Sequence, residues 1–356
     1  MNAQEKCYLW LDSFPLSLAE KRELLTRVGD AVTLVKRFEN SKAFFAEKGK
    51  TELFEKMART LLGKEYFESI VSGLEQEGVT AIPFPHPLYP EVWKSFADAP
   101  LCLYAKGNTE LLRERIFTVV GSRRTPEQAR KSCERVCKEL SAYFCLVTGT
   151  AEGGDAAAVK GALDGTGRVI CLHAGGLRSM PQTDPELYRA VEKRGLLLSP
   201  CPMDTGIRNF SFGYRNKLLA ALGEGILVVG AGEKSGALLT ANHALEAGKK
   251  AFAFPYSIGA TYGVGCNSLI KRGAALCEDA GDILEKFSLE RKVEKALTLT
   301  ETEEKVLAVL KERGEGHAME IAKGAGLPPF KATTVLSSLE VKGLAVALGG
   351  NRYAAV

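Results

Sequence analysis

The sequence has 356 residues, a formal net charge of +4, 46% hydrophobic residues and 25% charged residues. A chain of this length exceeds the size at which one hydrophobic core keeps growing, so two or three domains are expected. The balanced composition excludes long disorder and a general polycationic character. Any contact with nucleic acid must therefore come from locally clustered Lys and Arg.

The start of the chain lacks the basic and apolar regions of a signal peptide, and no later apolar run is long enough to span a membrane. Nine cysteines are present. They stand alone in strand-like runs or, at Cys133 and Cys137, four residues apart on a predicted helix, which is not a redox or metal spacing. We interpret them as small buried hydrophobes and expect a cytoplasmic protein.

The first 110 residues divide into two segments. Residues 1–75 alternate short amphipathic helical patterns with charge, which predicts a small helical (SAM-like) domain with a packing or partner role. Residues 76–110 hold prolines at positions 83, 85, 87, 90 and 100, which exclude a helix through most of the segment and indicate a linker and lead-in. His86 stands between two of these prolines and is interpreted as a turn residue, so no metal site is expected.

Residues 111–287 repeat one pattern, a short apolar strand followed by a Gly-rich turn and a helix. The segments are IFTVVGSRR, FCLVTGTAEGGD, RVICLHAGG, GLLLSP, GILVVGAG and KAFAFPYS. Such alternation predicts an α/β fold with a Rossmann-like, mostly parallel sheet covered on both faces. Ligands then bind at the carboxyl ends of the strands.

Residues 298–356 show three short helical patterns followed by a hairpin at Gly349-Gly350, which predicts a winged helix. Its presumed recognition helix carries Lys331 and Lys342 but also Glu340, which is poorly suited to reading duplex DNA. A partner-binding or dimer-supporting role is therefore favoured for this domain.

The turn Gly121-Ser122-Arg123-Arg124-Thr125-Pro126 joins a buried strand to a helix. Backbone N–H groups and the helix dipole collect anions at such a place, and phosphate is the natural ligand. The turn is not a dinucleotide fingerprint, because GxGxxG is absent. A tight turn with two solvated arginines remains the alternative interpretation.

The next turn runs from Thr148 through Gly149 and Gly153 to Asp155 and again leads into a helix. Asp155 lies where a helix N-cap is expected. Two interpretations of this carboxylate stay open: it caps the helix, or it orients a ligand-binding loop.

A third segment, residues 209–217, places Phe210, Phe212, Arg215, Asn216 and Lys217 within nine positions. Aromatic faces stack on bases while Arg and Lys hold phosphates, the combination that sequence-tolerant binding of single strands requires. One of the two phenylalanines is expected in the core. Two further turns, at Ser235-Gly236 and at Gly265-Cys266-Asn267, are expected to supply backbone N–H and amide donors.

At these turns the sequence resembles the DNA-processing protein A family, also called DprA or Smf. Five motifs occur in the family's order: GSRRTP at 121–126, GxAxGxD at 149–155, FxxRNK at 212–217, SGALLTA at 235–241 and GCNSLIKRGA at 265–274. The lead-in PHPLYPEVWKSFADAPLCLYAKGN is similar as well, so the resemblance covers most of the chain.

The resemblance implies a dimeric single-stranded-DNA-binding protein that protects incoming DNA during natural transformation and loads the RecA recombinase, with neither catalysis nor a cofactor. It assigns Arg123, Phe212, Arg215, Asn216 and Lys217 to the DNA pocket. With the turns described above, the predicted DNA-binding residues are Gly121, Ser122, Arg123, Arg124, Gly149, Gly153, Asp155, Phe212, Arg215, Asn216, Lys217, Ser235, Gly236, Gly265 and Asn267.

The chain departs from the family pattern at two positions. Gly154 stands where the family commonly has Ile, and Val159 stands where it has His.

Two other functions fit the sequence less well than DNA binding does. A phosphoribohydrolase-like enzyme of the same fold would carry a PGGxGT stretch, which is absent, as are a Walker lysine and a nucleophile elbow. A transcription regulator acting through the winged helix is disfavoured by Glu340. The sequence therefore predicts a DNA-binding protein that is not an enzyme.

Overall fold

The N-terminal region is helical, as predicted. The computed structural model describes residues 1–61, 64–181, 183–291 and 299–355. Its helices over the first 76 residues are α1 (Ala3–Asp12), α2 (Leu18–Val28), α3 (Ala31–Lys36), α4 (Lys42–Glu47), α5 (Thr51–Leu61) and α6 (Lys64–Gln76). They share a core of their own that includes Trp10, Leu24 and Phe45.

In the described residues, nine strands follow and form one mixed sheet. They are β1 (Thr80–Pro83), β2 (Cys102–Gly107), β3 (Ile116–Gly121), β4 (Cys145–Thr148), β5 (Val169–Leu172), β6 (Leu196–Ser199), β7 (Gly225–Gly230), β8 (Lys250–Ala253) and β9 (Ala275–Leu276). Their spatial order is β1-β2-β6-β5-β4-β3-β7-β8-β9. The seven strands from β6 to β9 in this order are parallel, and only the pairings of β2 with β1 and with β6 are antiparallel. The prediction of a largely parallel sheet is confirmed.

The helices that connect or follow these strands are α7 (Glu91–Lys94), α8 (Glu127–Leu140), α9 (Gly154–Asp164), α10 (Pro185–Arg194), α11 (Asn209–Leu222), α12 (Gly236–Glu246), α13 (Val264–Lys271) and α14 (Ala280–Lys286). Short 3-10 turns occupy Phe38–Ser41, Thr109–Arg113 and Leu177–Ser179. Two hydrophobic cores contact the sheet, one containing Phe117 and Phe252 and the other Trp93 and Val228. The strands are buried because parallel sheets are covered on both faces.

Residues 76–110, which the prolines mark as a linker and lead-in, contribute β1, α7 and β2 to this unit. Trp93 of α7 is fully buried, and its indole Nε1 donates to the carbonyl of Leu218 at 3.0 Å. The Tyr104 hydroxyl of β2 donates to Asp12 of α1 at 2.9 Å, and Asp12 also pairs with the buried Lys21. The lead-in therefore joins the N-terminal helices to the sheet, and residues 1–289 form one compact unit.

Residues 290–356 form a second unit, with 292–298 and 356 outside the described residues. It contains α15 (Glu301–Arg313), β10 (Glu315–His317), α16 (Ala318–Gly324), α17 (Pro329–Val341), β11 (Ala345–Gly349) and β12 (Arg352–Ala355). Its three strands pair antiparallel in the order β10-β12-β11. Leu310, Ile321 and Leu336 lie in its core. No helix in the described part of the chain is both long and apolar enough to cross a membrane.

Candidate nucleic-acid interface

The sheet order creates a crevice at the ends of β3 and β7. From β3 the chain proceeds to β4 on one side, whereas after β6 it returns to place β7 on the other side of β3. Right-handed crossovers therefore carry the loops after β3 and β7 to opposite faces of the sheet. In such doubly wound sheets the ligand site lies where these loops separate, at the carboxyl ends of the strands.

Glycines let the loops at this crevice approach one another closely. A Cβ on Gly154 would lie 2.5 Å from the Cα of Gly121, and one on Gly153 (φ +81°) would lie 2.4 Å from the carbonyl oxygen of Ser122. The Gly154 N–H donates to that same Ser122 carbonyl at 3.1 Å, and the Ser122 N–H donates to Gly230 at the end of β7 at 2.8 Å. Gly154 thus allows a backbone contact that no side chain would fit.

A buried ion pair lies beneath these loops. Arg215 of α11 and Asp155 of α9 are 6% and 4% exposed, and Arg215 Nη1 is 3.7 Å from Asp155 Oδ2. Asp155 Oδ1 also accepts the Gly121 N–H at 3.1 Å. Gly149 leaves room for the pair, because a Cβ on it would lie 1.6 Å from Arg215 Nη1. The pair fixes the turn after β3 relative to both helices.

Burial of this pair is energetically unfavourable, because it opposes the charged form of both side chains. Burial raises the pKa of the Asp155 carboxyl although Arg215 opposes the change, and burial lowers the pKa of the Arg215 guanidinium although Asp155 opposes it. Arg215 Nε has no hydrogen-bond partner among the described residues. Buried pairs of this kind add little net stability and are typical of functional sites.

Asp155 does not cap α9. The N-cap position is held by Gly153, no side chain caps the helix, and the carboxylate instead accepts from Gly121. Of the two interpretations left open by the sequence, the loop-orienting one agrees with the structure.

Arg123 and Arg124 are exposed on the loop after β3 and form no ion pair with a described residue. The Arg123 guanidinium lies over the half-buried ring of Phe212, with Cζ 5.7 Å from the ring centroid. A cation–π contact of this kind holds the arginine in place while leaving its N–H groups free. The loop therefore presents two available cations at the crevice.

The exposed aromatic residue of segment 209–217 is Phe210, which is not among the predicted DNA-binding residues. Its side chain is 70% exposed in the first turn of α11, next to the exposed Arg208. Helical spacing could have identified it: Phe212 precedes the buried Arg215 by three residues and shares its face, whereas Phe210 precedes it by five and lies on another face. Of the two phenylalanines, Phe210 is the one available for stacking.

Lys217 points away from Arg215. Its Nζ is 2.6 Å from Asp98 Oδ1 and 4.5 Å from the centroid of the Phe96 ring, both in the lead-in. Asn216 is buried and donates from Nδ2 to the Gly236 carbonyl at 3.3 Å, which ties α11 to the start of α12. The RNK run therefore divides among three different contacts.

The turns before α12 and α13 are held mainly by contacts within the protein. The Ser235 hydroxyl caps α12 by accepting the Ala237 N–H at 3.3 Å, while Gly236 is exposed. Asn267 accepts the Tyr256 N–H at 3.0 Å and donates to the Tyr256 carbonyl at 2.9 Å. The Gly265 N–H donates to Ala231 at 2.9 Å. Asn267 and Gly265 thus fix the loop after β8, and their assignment as DNA ligands stays a prediction.

A buried histidine supports the loop after β4. His173 Nδ1 is 2.8 Å from the Thr150 hydroxyl and Nε2 is 3.1 Å from the Ser179 hydroxyl. Burial, with the nearby Arg215, lowers the pKa of His173 to about 4, so the ring is neutral at physiological pH. The Thr148 hydroxyl beside this loop is buried with no partner in the described residues. No group of His, Cys, Asp or Glu in the described residues could hold a metal ion.

The fold and this crevice define a doubly wound α/β protein with an anion-attracting loop at its topological switch point. The family model for DNA recombination-mediator protein A matches residues 80–288. The chain belongs to that family. The match begins at β1, so the family's common region includes the two strands of the lead-in.

Curated relatives and solved structures agree with this assignment. The chain is 33% identical over 221 residues to DNA processing protein DprA of Bacillus subtilis, covering 61% of this chain and 74% of the relative. It is 36% identical over 200 residues to DprA of Streptococcus pneumoniae, covering 56% and 71%. The X-ray structure of the S. pneumoniae protein covers 80% of this chain and 99% of its own, at 27% identity and a TM-score of 0.61.

A structure that describes the single-stranded DNA binding mode of DprA from Helicobacter pylori shares the fold. It covers 59% of this chain and 95% of its own, with 24% identity and a TM-score of 0.53.

Proposed function

We propose that this protein binds single-stranded DNA at the crevice between β3 and β7 and mediates its transfer to a recombinase during natural transformation and recombination. The observation that carries the proposal is the pair of exposed, unpaired arginines, Arg123 and Arg124, at the switch point of the sheet. Phe210 adds an exposed aromatic face nearby on α11. Cations for phosphates and a ring for bases are the two requirements of single-strand binding.

The proposed role requires neither enzymatic activity nor a cofactor. Asp155, the carboxylate buried at the crevice, is engaged on one oxygen by Gly121 and faces Arg215 with the other. It is therefore not placed to activate water. The site is built to hold a charged chain rather than to transform it.

The expected partners are the RecA recombinase and a second copy of the chain, acting in the cytoplasm where recombination takes place. Both partners are proposed from the resemblance to the family. For the second copy, support comes from α12 and α13, which expose the apolar side chains of Leu239 and Val264 at 55% and 43%. A dimer interface on this side of the sheet would cover both side chains.

The C-terminal unit is proposed to be a winged helix with a role in partner binding. Three helices precede a hairpin whose turn holds Gly349 and Gly350 at φ +87° and +57°. Helix α17 exposes Phe330 and Val341 at 76% and 90%, which suits contact with protein better than with phosphate.

Replacing Arg123 with alanine is expected to lower affinity for a labelled oligothymidine and to reduce the slope of log affinity against log salt by roughly 0.7, since one phosphate contact is lost. Fluorescence anisotropy at several salt concentrations measures both quantities, with a duplex of equal length for comparison. The wild type should prefer the single strand and leave it uncut on a denaturing gel. Arg113→Ala, which removes an exposed arginine from the 3-10 turn before β3, is the matched control. A slope unchanged by Arg123→Ala would remove this arginine from the interface.

Replacing Leu239 with glutamate is expected to convert a dimer to a monomer, because a charge would be buried in the proposed interface. Light scattering should give twice the 38.4 kDa chain mass for the wild type and the single chain mass for the variant. Val92→Glu, at an exposed apolar residue of α7, provides the control. A monomeric wild type at all concentrations would contradict the dimer.

A further inference from the structure

A cleft of about 470 Å³ adjoins the arginine loop, residues 121–126, and contains none of the predicted site residues. The walls are formed by the first turns of α8, the chain after β8 and the two residues that follow β9. The side chains used below are Gln128, Ser132, Tyr256, Ser257, Tyr262 and Glu278.

The cleft is continuous with the arginine loop. Pro126 lines the cleft and follows Arg124 by two residues. The Tyr256 hydroxyl donates to the carbonyl of Val229, and the carbonyl of the next residue, Gly230, accepts the Ser122 N–H at 2.8 Å. The arginine loop and the cleft therefore flank the same strand end, that of β7.

The chemistry of the cleft suits an uncharged aromatic group. The rings of Tyr256 and Tyr262 meet edge to face with centroids 5.5 Å apart, and Tyr262 is 41% exposed. The side chains of Gln128, Ser132 and Ser257 form no hydrogen bond with the described part of the chain, so their polar groups are available to a ligand. Glu278 is exposed at the wall, where it would repel a phosphate but not a base.

We propose that this cleft receives one unpaired base of the strand whose phosphates contact Arg123 and Arg124. The base stacks on Tyr262, and its edge meets the amide and hydroxyl groups of the walls. The inference rests on the proposed function and adds a source of selectivity, because a base held in a duplex cannot enter the cleft. The cleft would then reject double strands without reading sequence.

The test compares full-length variants by anisotropy with a labelled oligothymidine. Tyr262→Ala is expected to weaken binding about 5- to 150-fold, the fold-change that corresponds to loss of one stacked base, without changing the salt slope. Tyr262→Phe keeps the ring and should retain affinity. Ile258→Ala removes a fully exposed side chain from the same loop that does not line the cleft, and should bind as the wild type does.

A strand of equal length with abasic sites in place of the bases separates stacking from other effects. Wild type and Tyr262→Ala should bind this strand equally, because there is no base to lose. A loss of the same size on both strands, or equal affinities for Tyr262→Ala and Ile258→Ala on the normal strand, would overturn the inference alone. A wild type that binds no single strand would overturn the proposed function and this inference together.

Discussion

Replacing Trp93 with alanine is expected to lower the free energy of unfolding of the unit formed by residues 1–289 by about 3–5 kcal/mol. Trp93 is among the largest fully buried side chains, and its indole N–H satisfies the carbonyl of Leu218 on α11. The substitution would leave a cavity beneath the helix that carries Phe210 and Arg215, and it would remove the hydrogen bond from the indole to that helix. Urea denaturation followed by circular dichroism measures the change.

Two variants calibrate this result. Val92→Ala alters the exposed neighbour on α7 and should change stability by no more than about 0.5 kcal/mol. Trp93→Phe should fall between the two, since it retains much of the ring volume but not the hydrogen bond. A loss for Trp93→Ala no larger than that for Val92→Ala would show that the lead-in contributes nothing to the core.

Replacing Phe210 with alanine is expected to weaken binding of single-stranded DNA by about 1–3 kcal/mol, the range for losing one stacked base, while the salt slope stays unchanged. The ring is 70% exposed, so the stability of the fold should not change measurably. Anisotropy titrations at several salt concentrations, together with a thermal melt of each variant, measure the two effects separately.

Phe212→Ala should behave differently. Its half-buried ring supports Arg123, so the variant should both melt earlier and bind less tightly. Phe330→Ala, which removes an equally exposed phenylalanine from the C-terminal unit, is the matched control and should leave affinity unchanged. If Phe210→Ala binds as tightly as Phe330→Ala while Phe212→Ala binds weakly without loss of stability, the stacking residue is Phe212.

The sequence predicts strands β3 to β8 because each is a short, mostly apolar run that is followed by a turn containing glycine or proline. The other strands of this sheet, β1, β2 and β9, do not fit the repeat of strand, turn and helix. Strand β9 is only two residues long, and β1 and β2 lie in the proline-rich lead-in. These two strands are defined by their pairing. Strand β2 pairs with β6, and Gly107 lies opposite Leu196, the first residue of β6. Local sequence does not record a pairing between residues so far apart in the chain.

The sequence places the interface on the correct loops but does not assign each side chain. The motif FxxRNK draws attention to Phe212 and Lys217, yet the direction of a side chain depends on where α11 begins and which face it buries. With α11 starting at Asn209, Arg215 points into the protein and Lys217 reaches Asp98 instead. Asn267 is similar, because its amide is engaged by a backbone segment that no local pattern identifies.

The antiparallel pairing of β2 with β6 limits where the chain can be truncated without exposing an edge of the sheet. A recombinant fragment beginning at residue 111 would lack β1, α7 and β2, leaving the backbone groups of β6 unpaired at an open edge and Leu218 without its indole donor. Open edges of this kind pair with other chains and aggregate. Insolubility of such a fragment would therefore result from a domain boundary placed at residue 111. A fragment that keeps the sheet intact must begin before Thr80, the first residue of β1.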